Sequence, residues 1–265
     1  MRIALAAIRP ALRRAALIVA LSSALVLALP FAALSSAPAA ALDAFEKDVI
    51  ETSAGDLEIT FIGHGTLMMA FAGKTIHIDP FGKLADYSKL PKADVVLVTH
   101  HHGDHFDMDA LDKVCTKETV VVLTDTCAKK LQGGVVMRNG NVRKIGGIEV
   151  EAVPAYNLTD KREKGEPYHP KGEGNGYVLT FGATRVYVAG DTENTPEMKA
   201  LKGIDYAFLP MNLPYTMTPE MVADAVRALS PKVLYPYHYG ETDVSALAAL
   251  LEGEKGLEVR IRSMK

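Results

Sequence analysis

The sequence predicts an α/β fold of four layers, αββα, in which two packed sheets carry helices on their outer faces. Short apolar runs with turn signals between them begin near residue 56. Their plan occurs twice along the chain, because antiparallel strands are followed each time by strand–helix units. Some runs, such as 94–99, are almost continuously apolar, which is typical of strands that are buried on both faces.

The first half of the chain alternates strands with short helices. A hairpin is expected around Gly63-His64-Gly65, and the next strand ends at Asp79-Pro80, because proline cannot continue a ladder. The predicted strands here are 57–61, 66–71, 74–78, 94–99 and 119–124, and the predicted helices are 107–114 and 128–131.

The second half repeats this plan. The turn pairs Asn139-Gly140 and Gly146-Gly147 predict two or three antiparallel strands over 135–153. A hairpin of strands 177–180 and 185–188 follows, and after Asp191 strands alternate with helices. These are helices 196–201, 219–229 (with Thr218 as its N-cap) and 244–252, and strands 206–210, 233–237 and 256–261.

The N-terminal segment resembles an export signal. Residues 1–14 contain four arginines and no acid, 15–29 form an apolar run, and 35–41 are small residues. This layout predicts a cleaved signal peptide over 1–41 and a mature domain over 42–265. The alternatives are a twin-arginine signal or an uncleaved anchor, although the run is short for a span of about 20 residues. We expect an exported, periplasmic protein without stable membrane association after cleavage.

The net charge of the mature chain indicates which class of partner it binds. Loss of the four arginines changes the formal net charge from −3 to −7. An acidic chain lacks the basic stripe of a nucleic-acid-binding surface, so we expect a small-molecule substrate and no nucleic acid. The two cysteines, Cys115 and Cys127, flank a predicted strand, and the sequence leaves open whether they pair.

A histidine cluster follows the strand at 94–99. It contains His100, His102, Asp104 and His105 within six residues. Residues i and i+2 of an extended segment point the same way, so His100 and His102 can share one ion. The chain turns at Gly103, which directs Asp104 and His105 toward a second position. The alternative is a solvated His-rich loop.

Two further strands deliver ligand-type residues at their ends. Asp191 follows the strand at 185–188, and His238 follows the strand at 233–237. An aspartate can bridge two cations with its two oxygens. A His/Asp set without cysteine suits zinc, and manganese, iron or nickel are alternatives. We therefore expect two divalent metal ions.

The pattern His100-x-His102-x-Asp104-His105, with Gly190-Asp191 and His238, resembles the metallo-β-lactamase superfamily. Within it, Gly63-His64-Gly65-Thr66 and Ile78-Asp79-Pro80 resemble the branch of ascorbate-phosphate lactonase-like and N-acylethanolamine phospholipase-like enzymes. The resemblance covers about residues 56–262 and implies an αββα sandwich with a dinuclear metal site at one edge.

The chain departs from this family at one position. The resemblance implies a third histidine for the first metal, often at the end of a strand where this chain has Pro154-Ala155-Tyr156-Asn157, and Asn157 is a poor ligand. His169, in the long polar loop 157–176, is the histidine available in that interval, and we expect the loop to fold over the site so that His169 replaces the missing ligand. The alternative is a surface histidine in a mobile loop.

The resemblance implies a metal-dependent hydrolase in which a hydroxide bridging two metals attacks a small ester, lactone, amide or phosphodiester. Asp104 is expected to bind the second metal and to act as the catalytic residue that positions the nucleophile or carries a proton. The alternatives are a β-lactam-hydrolysing enzyme and a non-catalytic metal-binding protein.

Several other residues have an open role. Asp79 is a candidate to orient a metal-bound histidine, and His64 to face the metal or the substrate. Candidate pocket walls are Tyr156, Tyr215 and Met217, and the basic residues that could attract an anionic substrate are Lys161, Arg162 and Lys164.

Overall fold

The structure is a computed structural model that describes residue 42 and residues 44–264. The predicted signal peptide, 1–41, lies outside the described residues. Over 44–264 the chain forms fourteen strands and five helices. None of these helices is long and apolar enough to cross a membrane.

The first sheet has seven strands in sequential order. Strands β1 to β4 are antiparallel, and β4 to β7 are parallel. The strands are β1 (Glu46–Thr52), β2 (Gly55–Gly63), β3 (Thr66–Phe71), β4 (Lys74–Ile78), β5 (Val95–Leu97), β6 (Val120–Leu123) and β7 (Val135–Val136).

The second sheet repeats the first. Strands β8 to β11 are antiparallel, and β11 to β14 are parallel, so the duplicated plan that the sequence predicts is present. The strands are β8 (Val142–Ile145), β9 (Ile148–Ala155), β10 (Gly174–Phe181), β11 (Thr184–Val188), β12 (Tyr206–Pro210), β13 (Val233–Tyr237) and β14 (Glu258–Val259).

The helices cover the outer faces of both sheets. Each begins at a side-chain cap, and Thr218 accepts a hydrogen bond from the Met221 N–H, as expected from the sequence. The helices are α1 (Met108–Val114), α2 (Asp125–Ala128), α3 (Pro196–Ala200), α4 (Pro219–Leu229) and α5 (Val244–Leu250).

Three apolar clusters separate these layers. One cluster lies between the sheets and joins residues of both, such as Phe61 and Phe208. A second packs α3, α4 and α5 against the second sheet, and a third packs α1 and α2 against the first sheet. The layers are therefore helix, sheet, sheet and helix, and the predicted αββα class is confirmed.

Three local details differ from the predictions. Over 135–153 the antiparallel pair β8 and β9 is present around Gly146-Gly147, but Val135–Val136 is parallel to β6 in the first sheet, and the Asn139-Gly140 turn passes the chain to the second sheet instead of closing a hairpin. Helix α2 begins three residues earlier than expected, because Thr124 accepts a hydrogen bond from the Cys127 N–H. β1 was missed because its residues are mostly polar and exposed.

The two cysteines do not pair. Cys115 and Cys127 are both free thiols, and Cys127 is buried in the cluster beneath α1 and α2.

Candidate metal centre

The site forms where parallel strands of both sheets end at one edge. Ligand-type residues follow four of these strands, since carboxyl ends of parallel strands meet at one edge of a sheet. Asp79 follows β4, the histidine cluster follows β5, Asp191 follows β11 and His238 follows β13. Most side chains at this edge are buried, with His105 and His238 each 1% exposed, whereas His64, His102 and Asp104 are half-buried.

The first group consists of His100, His102, His169 and Asp191, whose ligand atoms lie within 4.8 Å of one another. His100 Nε2 lies 3.0 Å from His102 Nδ1. His169 Nε2 lies 3.2 Å from Asp191 Oδ2, and His100 Nε2 lies 3.8 Å from the same oxygen. The structure thus brings His169 from the polar loop to the position expected of it.

The second group consists of His64, Asp104, His105 and His238. His105 Nε2 lies 3.1 Å from His238 Nε2, and His64 Nε2 lies 3.1 Å from Asp104 Oδ2. Asp191 Oδ1 lies 3.5 Å from His105 Nε2 and 3.4 Å from His238 Nε2. The two oxygens of Asp191 therefore face different groups.

The donor atoms fit two divalent cations. His169 Nε2 and Asp191 Oδ1 are fully buried, and neither has a hydrogen-bond partner of acceptable geometry in the part of the chain that the structure describes. Such orphaned atoms are costly unless something binds them. Imidazole nitrogens converge with carboxylate oxygens in each group, which is the donor set that zinc and related divalent metals prefer.

The local electrostatics agree with metal binding. Burial lowers the pKa of His102 and of His238 to about 4 and lowers the pKa of His100, which leaves these imidazoles neutral. Burial also opposes a charge on His105, but Asp191 and Asp79 outweigh it and raise the pKa of His105 to about 10. The position between these carboxylates therefore favours positive charge, which a metal ion supplies.

Asp79 fixes the orientation of His105. Its fully buried carboxylate accepts hydrogen bonds from His105 Nδ1 at 2.8 Å, from the Thr99 N–H at 2.7 Å and from the Thr99 hydroxyl at 2.5 Å. The hydrogen on Nδ1 leaves the Nε2 lone pair of His105 directed at the second group. This contact is the one that the sequence suggested for Asp79.

Glu193 holds the polar loop over the site. Its carboxylate accepts hydrogen bonds from the backbone N–H groups of Leu158 and Thr159 at 2.9 Å and of Asp160 at 2.7 Å, and from Asn157 Nδ2 at 3.1 Å. Glu193 was missed at the sequence level, although an acid two residues after Asp191 was the available signal.

The backbone at the site is strained. His64, Asp79 and His238 have φ values of 51°, 46° and 45°, in the left-handed region that non-glycine residues rarely adopt. Each costs about 1–3 kcal/mol, and such strain clusters at functional sites. Gly65 permits a close approach, because a Cβ there would lie 2.7 Å from the His105 ring.

Comparison with known proteins identifies the family. The family described as "Beta-lactamase superfamily domain" matches residues 58–238. The chain belongs to this superfamily.

Relatives of this superfamily member are described as metal-dependent hydrolases. A "UPF0173 metal-dependent hydrolase" from Pelotomaculum thermopropionicum is 31% identical, with 78% of this chain and 97% of the relative covered. One from Methanopyrus kandleri is 33% identical, with 77% and 95% covered. The crystal structure of a putative metal-dependent hydrolase from Parabacteroides distasonis has a TM-score of 0.79 at 48% identity and covers 83% of this chain and all of that chain.

The metallo-β-lactamase fold of this chain leaves a cavity of about 540 Å³ above the two groups. Besides the cluster residues, its walls include Arg162, Tyr168, Asn212 and Tyr215. Of the three candidate wall residues, Tyr215 lines the cavity. Tyr156 instead donates a hydrogen bond to Glu197, and Met217 is buried in the core beneath α4.

Proposed function

We propose that this chain is a dinuclear metal-dependent hydrolase that acts on a small ester, lactone, amide or phosphodiester. The observation that carries the proposal is the position of Asp191, whose Oδ1 faces one group of ligand-type side chains and whose Oδ2 faces the other. A carboxylate so placed can bridge two cations. The names of the relatives support the reaction class.

The residues divide between two metals in this proposal. Asp191 is shared by both, and His64 lies beside the second. The first set is His100, His102, His169 and Asp191, and the second is Asp104, His105, His238 and Asp191. The chemistry that two bound divalent ions supply is acidification of a water and polarisation of the substrate oxygen that becomes negative.

The chain's own side chains hold Asp104 in place and keep it ionised. Burial opposes the charge on Asp104, but the hydrogen bond from His64 and the proximity of His105 outweigh it and lower the pKa of Asp104. Asp104 is thus an ionised carboxylate at neutral pH, the form that a metal ligand needs, and it lines the cavity next to the substrate space. His64 Nε2 holds its Oδ2 in place.

Metal analysis followed by a substrate panel tests the proposal. Purified protein is expected to contain two equivalents of metal per chain. Zinc is the expected metal, and manganese, iron or nickel are the alternatives. Protein stripped with a chelator should lose activity and regain it with one of these metals. The panel contains lactones, carboxylic esters, amides, phosphodiesters and β-lactams, so it also tests the predicted lactonase-like or phospholipase-like branch. Activity that survives complete removal of metal contradicts the proposal.

The matched variants are Asp191→Asn and His101→Ala. Asp191→Asn removes the shared carboxylate and is expected to bind less metal and to lose turnover. His101 lies in neither group of ligand-type residues, and its substitution should leave metal content at two equivalents.

A further inference from the structure

One wall of the cavity carries Arg162, a cation that has no acidic partner among residues 44–264. Arg162 lies at a tight turn of the polar loop, where its N–H donates to the Glu166 carbonyl and its own carbonyl accepts from the Gly165 N–H. Its side chain reaches back to the cavity, with Nη2 3.4 Å from the Tyr168 carbonyl and 3.5 Å from His102 Nε2. The turn therefore directs the guanidinium inward although the residue itself is exposed.

The donors of Arg162 are largely free. Among residues 44–264, Arg162 and Arg143 have no ion pair with a carboxylate, whereas the other five arginines have one: Arg138, Arg185, Arg227, Arg260 and Arg262. Arg143 lies exposed on β8, away from the cavity. A guanidinium carries five N–H donors in a planar fork. The Tyr168 carbonyl takes one of them, and if His102 ligates a metal through Nδ1, its Nε2 carries hydrogen and cannot accept another.

Aromatic side chains complete this wall. The guanidinium lies 5.1 Å from the centroid of the Tyr168 ring, and the Tyr168 and Tyr215 rings meet edge to face at 5.0 Å. The cation–π contact with Tyr168 restricts the guanidinium, which lowers the entropy lost when it binds a ligand. The wall thus offers a planar donor fork, held on one side by Tyr168, that faces open cavity.

The wall adjoins the first group of ligand-type residues. The guanidinium reaches that group at His102, whose Nε2 lies 3.5 Å from Arg162 Nη2 and whose Nδ1 lies 3.0 Å from His100 Nε2. A substrate group held by the fork would therefore lie only a few bonds from the bond that is cleaved.

We propose that Arg162 is a substrate-binding residue that takes an anionic oxygen group, a carboxylate or a phosphate, so that the substrate is a small anionic compound with a hydrolysable bond close to that group. The inference rests on the proposed hydrolase function and assigns its substrate class. Planar bidentate recognition of carboxylate or phosphate is the chemistry for which a free arginine fork is suited.

A pair of matched esters tests the charge preference. Mono-(4-nitrophenyl) glutarate and 4-nitrophenyl pentanoate have similar acyl chains and differ in a terminal carboxylate. Wild-type, metal-loaded protein is expected to prefer the glutarate ester. Arg162→Gln should lower kcat/KM for it by about 10- to 100-fold, the range for a hydrogen bond to a charged group, and leave the pentanoate ester unchanged. Arg162→Lys keeps the charge but not the planar fork. Its kcat/KM for the glutarate ester should therefore lie between the values for wild type and for Arg162→Gln.

Lys164→Gln is the matched control. Lys164 is exposed in the same turn and does not line the cavity, so this variant removes the same charge from the same loop. It should leave both rates unchanged. An equal loss in Arg162→Gln and Lys164→Gln, or an Arg162→Gln protein with unaltered preference between the esters, overturns the inference.

Binding measurements separate this inference from the proposed function. If wild-type protein hydrolyses neither ester, hydrolysis of carboxylic esters is contradicted, and calorimetric titration of zinc-loaded protein with glutarate and with propyl phosphate then decides the role of Arg162. Arg162→Gln should bind at least one of these anions about 10-fold or more weakly, and the anion more affected identifies the group. Equal affinity of wild type and variant for both anions rejects the subsite.

Discussion

Asn157 Oδ1 accepts a hydrogen bond from His169 Nδ1 at 2.8 Å. The same oxygen accepts from the His169 N–H at 2.8 Å, and the Asn157 N–H donates to the His169 carbonyl at 2.9 Å. Asn157 ends the segment 154–157, where the resemblance to the family implies a metal-binding histidine. Here it holds a histidine from twelve residues further along, with the hydrogen on Nδ1 and the lone pair on Nε2.

His169→Ala is expected to lower metal content from two equivalents toward one. The substitution removes one of three imidazoles from the first group, so zinc affinity at that position should fall by more than about 100-fold, beyond the effect of losing an outer partner. Elemental analysis after dialysis against a weak chelator measures the change. His101→Ala serves as the control, and a His169→Ala protein with full metal content and activity would refute the ligand role.

Asn157→Ala should weaken zinc binding by about 10- to 100-fold without removing any ligand, because the His169 ring loses the acceptor that fixes its orientation. Competition with a chromogenic chelator gives the affinity. Thr159→Ala is the matched variant, since it removes a 3.0 Å hydrogen bond to Glu193 from the same loop and leaves His169 untouched. Equal losses in both variants would mean that Asn157 acts only by stabilising the loop.

The hydrogen bonds to the Glu193 carboxylate should stabilise the folded protein, and this contribution should be lost in acid. Burial opposes its charge, but the hydrogen bonds from the Asp160 N–H, Asn157 and the Thr159 and Leu158 N–H groups outweigh burial and lower its pKa. A pKa lowered by folding stabilises the protein above the pKa of the unfolded chain, about 4.3 for glutamate, and this contribution disappears as the pH falls through the folded value.

Glu193→Gln should therefore lower the free energy of unfolding by about 1–3 kcal/mol at pH 7. The difference from wild type should shrink as the pH falls below about 4.3. Urea unfolding of both proteins in chelator, so that metal loss does not contribute, measures it. Glu163→Gln, an exposed carboxylate in the same loop, should change little. A difference that stays constant down to pH 3 would argue against a charged Glu193.

Local patterns were sufficient for much of the fold. β4, β12, α4 and β13 have the predicted bounds, because apolar runs, proline and helix caps mark them directly. The Asn139-Gly140 pair shows the limit of such signals. Gly140 has the expected positive φ of 84°, but a turn signal does not specify which sheet the chain enters next.

The residues of the site also fall into those that the sequence predicts and those that it does not. Residues that end strands, such as Asp191 and His238, were identified because the strand pattern locates them. Glu193 and Arg162 act through the folded-back loop, and no sequence periodicity indicates which of its polar residues turn inward. His169 was inferred only because a ligand was missing, and its partner Asn157 was recognised as a non-ligand but not as an orienting group.

Export is a separate prediction. Fusion of residues 1–41 to a reporter that folds only outside the cytoplasm should give reporter activity in a bacterial host, because a basic start, an apolar run and small residues direct translocation. Replacing the four arginines and breaking the apolar run with two aspartates at Leu25 and Leu27 should abolish it. Intact-mass measurement of the full-length protein should show a cut near residue 41, and retention of the full mass in the soluble fraction would contradict a cleaved signal.

Asp104→Asn should abolish turnover while leaving the fold intact. The amide keeps the size of the side chain and can still contact His64, but it carries no charge for a cation and accepts no proton, so kcat is expected to fall by at least about 100-fold, the lower end for a lost acid–base group. Unfolding midpoints measured in chelator, where metal does not contribute, should match wild type, because the Asp104 side chain is 39% exposed.

Comparison with Asp109→Asn makes this result specific. Asp109 is an exposed carboxylate at the start of α1 that lines the adjoining cavity, outside both groups of ligand-type residues. Its substitution should preserve kcat. Because Asp104 belongs to the second group only, Asp104→Asn protein should also retain metal at the first group, near one equivalent. Near-normal kcat in this variant would reject Asp104 as the catalytic residue, and loss of both metals would show that the two groups bind as a unit.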